Sequence, residues 1–303
     1  MQMQCDWLLP AGYLDADGCL HRQVELDPLT GREEELLTGN AYPTAALVTG
    51  VLSRCVKRIG SINEITPELV RELLVGDRQY LLLILRQLTF GDRVQASLPC
   101  PWPGCGKGVD IEFLISQIPI TGSERRAVYD MEVEPFIGAG SLGLSETAKS
   151  KVIYRLPNGG DQEAVLVNHP RTTEVEALSL ILSRCIHRFG DIEQPAPDWV
   201  AQLPAALRQQ IEQDMEQRAP NLELSMEAVC PACQREFLAP FELQDFFFGE
   251  LKTGVELLFR EVHYLAFHYH WSEQEIMSMP RHRRRRYIEV LADEIEQLND
   301  HIE

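Results

Sequence analysis

Two short cysteine motifs contain the residues with the clearest potential for chemistry. They are Cys100-Pro-Trp-Pro-Gly-Cys105 and Cys230-Pro-Ala-Cys233. Two thiolates on each of two tight turns can point at one centre about 2.3 Å from every sulfur, which is the geometry of tetrahedral zinc. The spacing predicts one structural zinc site with four cysteine ligands. The alternatives are four unrelated cysteines or disulfides, and the close spacing within each motif favours zinc over both.

A site of this kind is closed to catalysis. A zinc ion with four protein thiolates has no open position for substrate or for an activated water. Zinc deaminases have a similar Pro-Cys-x-x-Cys motif, but Val229 stands where their proline would be, and they need a His-x-Glu ligand motif. The only such motif here is His301-Ile-Glu303, which follows the cysteines. We therefore expect that the protein is not an enzyme and has no catalytic residues, and that zinc is its one cofactor.

A glycine pattern between the two motifs suggests a nucleotide site at first sight. Gly138, Gly140 and Gly143 match Gly-x-Gly-x-x-Gly, which indicates dinucleotide binding only between a strand and a helix. Pro135 interrupts the preceding segment, and too few residues follow for a crossover helix. The stretch 121–150 is interpreted as a Gly-rich linker or insertion.

Histidines and arginines near the C-terminal end form two further candidates. His263, His268 and His270 lack the i, i+4 spacing of two metal ligands on one helical face, which favours surface histidines. The basic run 281–286 could bind phosphate, but the acidic series 289–296 follows it, so a face that contacts the chain itself or a protein is favoured. A zinc-ribbon adaptor that binds nucleic acid through the basic run is the alternative function.

Composition narrows the class of protein. The chain has 46 acidic and 28 basic residues, a formal net charge of −18, which repels nucleic acid and anionic membranes. No segment approaches the roughly 18 consecutive apolar residues of a membrane span, and the first ten residues lack the pattern of a signal peptide. We expect a cytoplasmic protein. Cytoplasmic thiols stay reduced, which again favours zinc.

The other cysteines are assigned no ligand role. Cys5 and Cys19 have no close partner in the sequence, whereas Cys55 and Cys185 lie in apolar helical stripes and are expected to be buried.

The second half of the sequence repeats the first. Leu52-Ser-Arg-Cys55 recurs as Leu182-Ser-Arg-Cys185, and seven of the eleven positions from Leu52 to Ile62 are identical at an offset of 130. The offset continues to Cys100 and Cys230. Upstream it changes, where Leu156-Pro-Asn-Gly159 is matched with Leu9-Pro-Ala-Gly12, and Pro170-Arg-Thr172 with Pro28-Leu-Thr30. Each half then supplies two sulfurs, too few to hold zinc alone.

Local patterns predict the elements of each repeat. Residues 9–12 and 20–26 indicate a β-hairpin, a helix follows Thr30, and the apolar positions from Ala45 to Ile59 indicate another helix. Thr66 before Pro67 is a helix N-cap. Residues 94–98 and 109–115 indicate a hairpin with the first cysteine motif at its tip, which is half a zinc ribbon, and residues 236–243 are the counterpart in the second half. The predicted fold is α+β, an internal pseudo-two-fold duplication of hairpin, helices and half zinc ribbon.

A helical extension follows the duplication. Leu251, Val255, Leu258, Val262, Leu265 and Tyr269 form one apolar seam, and Ile288, Leu291, Ile295, Leu298 and Ile302 form a second. Ser272 and Glu275 match a capping box. These helices either pack on the body or receive a partner. The predicted domains are a first repeat (1–120), the linker (121–150), a second repeat (151–246) and a helical region (247–303).

Several motifs resemble a known family. They are Leu9-Pro-Ala-Gly12, Leu29-Thr-Gly-Arg-Glu-Glu34, Gly76-Asp-Arg-Gln-Tyr80, Leu88-Thr-Phe-Gly-Asp92, Tyr154-Arg-Leu-Pro-Asn-Gly159, the first cysteine motif and the segment Trp271-Ser-Glu-Gln-Glu-Ile276. The first six are similar to the baseplate proteins, or baseplate hub assembly chaperones, of T-even-type contractile phages and of related phage-tail-like contractile injection systems. The last segment is similar to the Trp-Ser-x-x-Glu-Ile ending of many tail-associated proteins. The resemblance covers most of the chain. It implies a non-enzymatic role in building the baseplate, with hub or spike proteins as partners, as a transient chaperone or as a component of the tail particle.

Overall fold

The computed structural model describes residues 7–36, 44–168, 173–240 and 243–300. Helices and antiparallel strands alternate along these ranges, which confirms the α+β class. The positions Cys5, 170–172 and 301–303, on which some expectations fell, lie outside the described residues.

The first 120 residues form two hairpins with helices between them. The elements are β1 (Trp7–Leu14), β2 (Leu20–Leu26), α1 (Gly31–Leu36), α2 (Thr44–Cys55), β3 (Val56–Ile59), α3 (Pro67–Glu72), α4 (Val75–Phe90), β4 (Arg93–Pro99) and β5 (Gly108–Leu114). The Thr66 side chain accepts a hydrogen bond from the Leu69 amide and caps α3, as predicted. Residues 81–85 of α4 are all buried, which is typical of a helix that is hydrophobic on every side.

The next hundred residues begin with three strands. The elements are β6 (Ile120–Thr121), β7 (Tyr129–Val133), β8 (Ser150–Tyr154), α5 (Gly159–Asn168), α6 (Glu174–Cys185), β9 (Ile186–Phe189), β10 (Ile192–Glu193), α7 (Pro197–Ala201), α8 (Ala205–Arg218) and β11 (Asn221–Leu222). A capping box formed by Thr173 and Glu176 begins α6.

The remaining elements are one hairpin and a series of helices. They are β12 (Ser225–Val229), β13 (Glu236–Pro240), α9 (Leu243–Tyr269), α10 (Glu273–Met277) and α11 (Arg281–Asp300). The predicted capping box of Ser272 and Glu275 begins α10. Pro280 precedes α11, where its fixed φ suits a helix start.

The chain divides into two compact units, each built from three separate segments. One unit comprises Met1–Glu25, Arg58–Tyr80 and Ile120–Leu222. Its core surrounds Tyr154 and Phe189, with Tyr129 stacked on Tyr154 at a centroid distance of 5.9 Å. Most of this core belongs to β7, β8, β9 and the helices that follow them. The strands are hydrogen-bonded in the order β10-β9-β8-β7.

Two buried carboxylates organise the backbone of this unit. Asp77, near the start of α4, accepts hydrogen bonds from the amides of Ala11 (2.9 Å) and Gly12 (3.2 Å), at the irregularity in the β1–β2 pairing. Asp161, in the first turn of α5, pairs with Arg155 and Arg184. Buried charges are stable only when paired or hydrogen-bonded in this way.

The other unit comprises Leu26–Lys57, Leu81–Pro119 and Glu223–Glu303. It contains the hairpins β4–β5 and β12–β13 and the helices α9, α10 and α11. Helix α9 packs against α1, α2, α10 and α11. The extension therefore packs on other helices of its own unit, one of the two arrangements that the sequence allowed.

One predicted helix is wrong in its second part. The apolar positions from Ala45 to Ile59 indicated a continuous helix, but α2 ends at Cys55 and the residues from Val56 to Ile59 form β3. Val56 and Ile59 are buried and Lys57 is exposed, a spacing of three that continues the helical period of α2. Pairing in the β1-β2-β3 sheet selects the strand, which suits β-branched residues.

Two features of residues 121–159 were not predicted from the sequence. The stretch interpreted as a linker contains β7, which pairs with β8 from Tyr129 to Val133. Leu9–Gly12 lies within β1, whereas Leu156–Gly159 follows β8 and leads into α5, so matching these two motifs was wrong. Gly138 and Gly143 both have positive φ and flank a single 3₁₀ turn. The next element is strand β8, not the crossover helix of a dinucleotide site. The four-part domain division stays a prediction.

Candidate metal centre

The first cysteine motif is the tip of the β4–β5 hairpin. Pro99 lies opposite Gly108 at the last paired position, and the Cys100 amide donates to the Lys107 carbonyl at 2.8 Å. Gly104 and Gly106 have φ of 81° and 59°, a region that glycine enters without strain. These two glycines allow the loop to turn tightly enough to bring Cys105 back beside Cys100.

The second motif repeats this construction at the tip of β12–β13. Val229 lies opposite Glu236, and the Cys230 amide donates to the Arg235 carbonyl at 3.1 Å. Gln234 follows the second cysteine with φ of 58°, as Gly106 does in the first motif. Left-handed backbone is costly for a side chain other than glycine, so the turn is held by its surroundings.

The four sulfur atoms form one cluster. The Sγ atoms of Cys100 and Cys233 lie 3.8 Å apart, those of Cys105 and Cys230 lie 3.7 Å apart, and all four lie within 4.8 Å of one another. Ligands about 2.3 Å from a tetrahedral zinc ion are separated by about 3.8 Å. A disulfide requires about 2.0 Å. The spacing fits a shared ion and excludes bonded sulfur pairs in this conformation.

The cluster lies on a small apolar base. Cys100 and Cys230 are buried together with Val109 and Ala228, whereas Cys105 and Cys233 are half-buried. The Trp102 indole donates to the Glu236 carbonyl at 3.2 Å and links the two motifs directly. The Arg235 guanidinium lies over the same indole ring, 5.3 Å from its centroid, which is cation–π distance.

The thiols of the cluster differ in acidity. Desolvation raises the pKa of Cys100 to about 12, whereas the backbone amide of Cys233 lowers the pKa of Cys230 to about 7. Four thiolates at these distances repel one another. A bound dication offsets that repulsion and deprotonates coordinating thiols. The all-sulfur donor set suits zinc and does not suit magnesium or calcium, which take oxygen ligands.

The remaining predicted positions do not form metal sites in the described ranges. The four cysteines are the only group of metal-ligating side chains found there. His263 and His268 lie among aromatic rings of α9 and contact Phe267. Cys55 and Cys185 are buried as expected, and desolvation raises the pKa of both thiols.

The basic run is engaged within its own unit. Arg284 is fully buried and donates to Glu34 at 2.7 Å and to Glu261 at 3.0 Å. Arg281 lies over the ring of Phe90, 4.8 Å from its centroid. The sequence predicted that this run would contact the chain itself or a protein. It carried no signal that the contact would be Glu34, which precedes Arg284 by 250 positions.

No helix among the residues described here is both long enough and apolar enough to span a membrane.

Comparison with known proteins assigns two families to different parts of the chain. Residues 252–303 match a family of unknown function (DUF6760). No match was found among curated proteins or among solved structures. Residues 19–248, most of the chain, match the family described as T4 bacteriophage base plate protein. The resemblance seen in the sequence motifs is thus confirmed, and the chain belongs to the T4 bacteriophage base plate protein family.

Proposed function

We propose that this protein is a non-enzymatic structural or assembly protein of the baseplate of a contractile tail or injection system. Zinc bound by the four cysteines stabilises it, and hub or spike proteins are its partners. The observation that carries the proposal is the family match over residues 19–248. The arrangement of the cysteines supports the absence of catalysis, because four protein ligands leave a zinc ion no open position.

The boundaries of the elements support an internal duplication. Helix α2 ends at Cys55 and α6 at Cys185, and each leads directly into a strand. Helices α3 and α7 begin at Pro67 and Pro197, and α4 and α8 begin at Val75 and Ala205. All these positions differ by 130. In this proposal β7 and β8 correspond to β1 and β2, so residues 134–149 are a long hairpin loop.

Duplication gives the zinc ion its structural role. Each proposed repeat ends in a hairpin with two cysteines, and the sulfurs of both hairpins meet within 4.8 Å. In isolated zinc-finger peptides the ion contributes about 10 to 16 kcal/mol, as much as the whole net stability of many domains. One ion therefore holds together two hairpins that bury few apolar side chains of their own.

A nucleic-acid adaptor is less well supported. Two arginines of the basic run, Arg281 and Arg284, are buried beside Glu34. Arg286 pairs with Glu289 at 3.1 Å. Phosphate binding requires accessible cations, and the net charge of −18 opposes it further.

Assembly of particles tests the proposal most directly. Deleting the gene from the system that encodes it should leave tubes and sheaths without complete baseplates when the particles are viewed by electron microscopy, and expression of the wild-type chain should restore them. Normal, functional particles from the deletion strain would overturn the proposal. Mass spectrometry of purified particles distinguishes a resident component from a transient chaperone.

Partner identity needs a separate experiment. Tagged wild-type protein, co-expressed with hub and spike proteins of the same system, should retain one of them through size-exclusion chromatography. Co-elution with the tube protein alone, or with no tail protein, would contradict the assignment of hub or spike as the partner.

A further inference from the structure

The second half of α11 has an apolar face that no described residue covers fully. Its members share one side of the helix: Ile288, Leu291, Ile295 and Leu298. We call this set the α11 seam. Leu291 is half-buried, but Ile295 and Leu298 are 38% and 63% exposed. Every residue from 292 to 298 is exposed, so this end of the helix projects from its surroundings.

The α11 seam continues a face that is buried elsewhere on the same helix. At helical spacing, Arg281 and Arg284 precede Ile288 and Leu291 on that side. Both arginines are buried, where Glu34 and Glu261 face them. The packing face of α11 therefore runs past its intramolecular partners and ends as apolar surface that the described part of the chain does not cover fully.

The charged side chains that accompany the α11 seam along the helix are acidic. No lysine or arginine occurs from 287 to 303, whereas Asp293, Glu294 and Glu296 lie along the exposed turns. No ion pair of these three carboxylates is found within the described ranges. The negative end of the helix dipole adds to their field, and cations are the favoured neighbours of a helix C-terminus.

A second copy of the chain is a poor occupant for this surface. It would bring another net charge of −18, and strong charge of one sign opposes self-association. The basic run of the copy would add little, because Arg281 and Arg284 are buried against carboxylates. Two of its exposed arginines, Arg285 and Arg286, already pair with Glu261 and Glu289. A positively charged surface of another protein meets both requirements, apolar contact and opposite charge.

We propose that the α11 seam docks a positively charged amphipathic helix of a protein partner. Apolar side chains of that helix fill the seam, and its flanking lysines or arginines face Glu294 and the other exposed carboxylates, as in paired helices of coiled-coil type. This proposal deepens the assembly role and rests on it for the partner's place in the tail. The surface itself can be tested separately.

Binding of designed peptides to the full-length protein provides the test. The probe is a fluorescent three-heptad helix with leucine at a and d and lysine at e and g, and the matched probe has glutamate at e and g. Wild-type protein should bind the lysine probe, and added salt should weaken binding. The double variant Ile295→Asp, Leu298→Asp should lose at least about tenfold in affinity, a change of about 1.4 kcal/mol.

Val290→Asp is the matched control. Val290 is 40% exposed, close to the 38% of Ile295, but it lies on another side of α11. The Val290→Asp variant should therefore bind like wild type. All three proteins should have the same circular dichroism spectrum. Equal binding of both probes, no binding of the lysine probe, or equal loss in the control would overturn the proposal.

Two further measurements separate this proposal from others. A doubled mass in light scattering that the double variant abolishes would make a second copy the occupant and overturn the proposal. If gene deletion prevents particle assembly but the double variant assembles normally, the assembly role stands and the proposal for the α11 seam fails.

Discussion

The sulfur atoms of Cys105 and Cys230 lie 3.7 Å apart, although 125 positions separate the two residues in the chain. Cys100 and Cys233 approach equally closely from the same two hairpins. Hairpins with few buried apolar side chains are marginally stable alone. In the proposed zinc site, one ion bound by the four sulfurs would strengthen the contact between the two motifs.

Loss of one cysteine should release the metal. Cys233→Ser replaces a thiolate with a hydroxyl, a poor zinc ligand, so zinc measured by plasma mass spectrometry should fall from one ion per chain to almost none. Because the ion holds both hairpins, stability should fall by several kcal/mol. Cys19→Ser is the control, since Cys19 is exposed and lies outside the cluster. Equal zinc content in both variants would contradict the four-cysteine site.

The sequence was sufficient to predict that the four cysteines lie together, because each pair has a local signal. Each pair of cysteines lies on a tight turn between two strands, and spacing within the turn determines where the sulfurs point. The hairpins β4–β5 and β12–β13, the Thr66 cap and the Ser272 capping box are likewise specified by neighbouring residues.

Long-range contacts left no comparable signal. Nothing near Glu34 indicates that it pairs with Arg284, and the strand after Cys55 depends on pairing in the β1-β2-β3 sheet. The apolar positions from Leu52 to Ile59 follow a helical period, so the sequence pattern predicts a helix throughout. Only strand pairing in the tertiary structure makes residues 56–59 a strand. Strand β7 was missed because its partner, β8, lies beyond a long loop.

Breaking the buried ion pair should be costly. Glu34→Gln removes the carboxylate that Arg281 and Arg284 share and leaves Arg284 with Glu261 alone. Removing one partner of a buried pair typically costs about 3 to 5 kcal/mol. Urea unfolding should show this loss. Glu289→Gln, which removes an exposed pair with Arg286, should cost no more than about 1 kcal/mol. Similar costs for both variants would show that burial does not set the strength of the first pair.

Positions 76 and 206 are equivalent in the proposed duplication, but they should differ in whether glycine or alanine gives the more stable protein. A Cβ at Gly76 would lie 2.3 Å from the Pro220 carbonyl oxygen. Gly76→Ala should therefore destabilise the protein by about 1 to 3 kcal/mol, although alanine is the better helix former. Thermal unfolding measures the effect.

Ala206, 130 positions later, is exposed near the start of α8. There Ala206→Gly should cost at most about 1 kcal/mol, through backbone entropy alone. A stabilised Gly76→Ala protein would mean that the close approach to Pro220 does not persist in solution.

The stability of the β1–β2 hairpin should depend on pH through Asp77. Desolvation raises the pKa of Asp77 to about 6 from an ordinary value of 3.8. The folded state therefore favours the protonated acid. That contribution is fully present below pH 3.8 and is lost as pH rises through about 6. Asp77→Asn cannot ionise, so its stability relative to wild type should increase between pH 4.5 and pH 7.5, as denaturant unfolding at both values would show.

Asp92 provides a control of opposite sign. The Ser116 hydroxyl donates to Asp92 and lowers the pKa of its carboxyl group. A lowered folded pKa contributes stability above the unfolded pKa, and that contribution is lost as pH falls through the folded pKa. Asp92→Asn should therefore be less stable than wild type at pH 7.5, with a smaller difference below pH 3.8. If Asp77→Asn shows the same dependence as Asp92→Asn, then the amides of Ala11 and Gly12, not burial, dominate at Asp77.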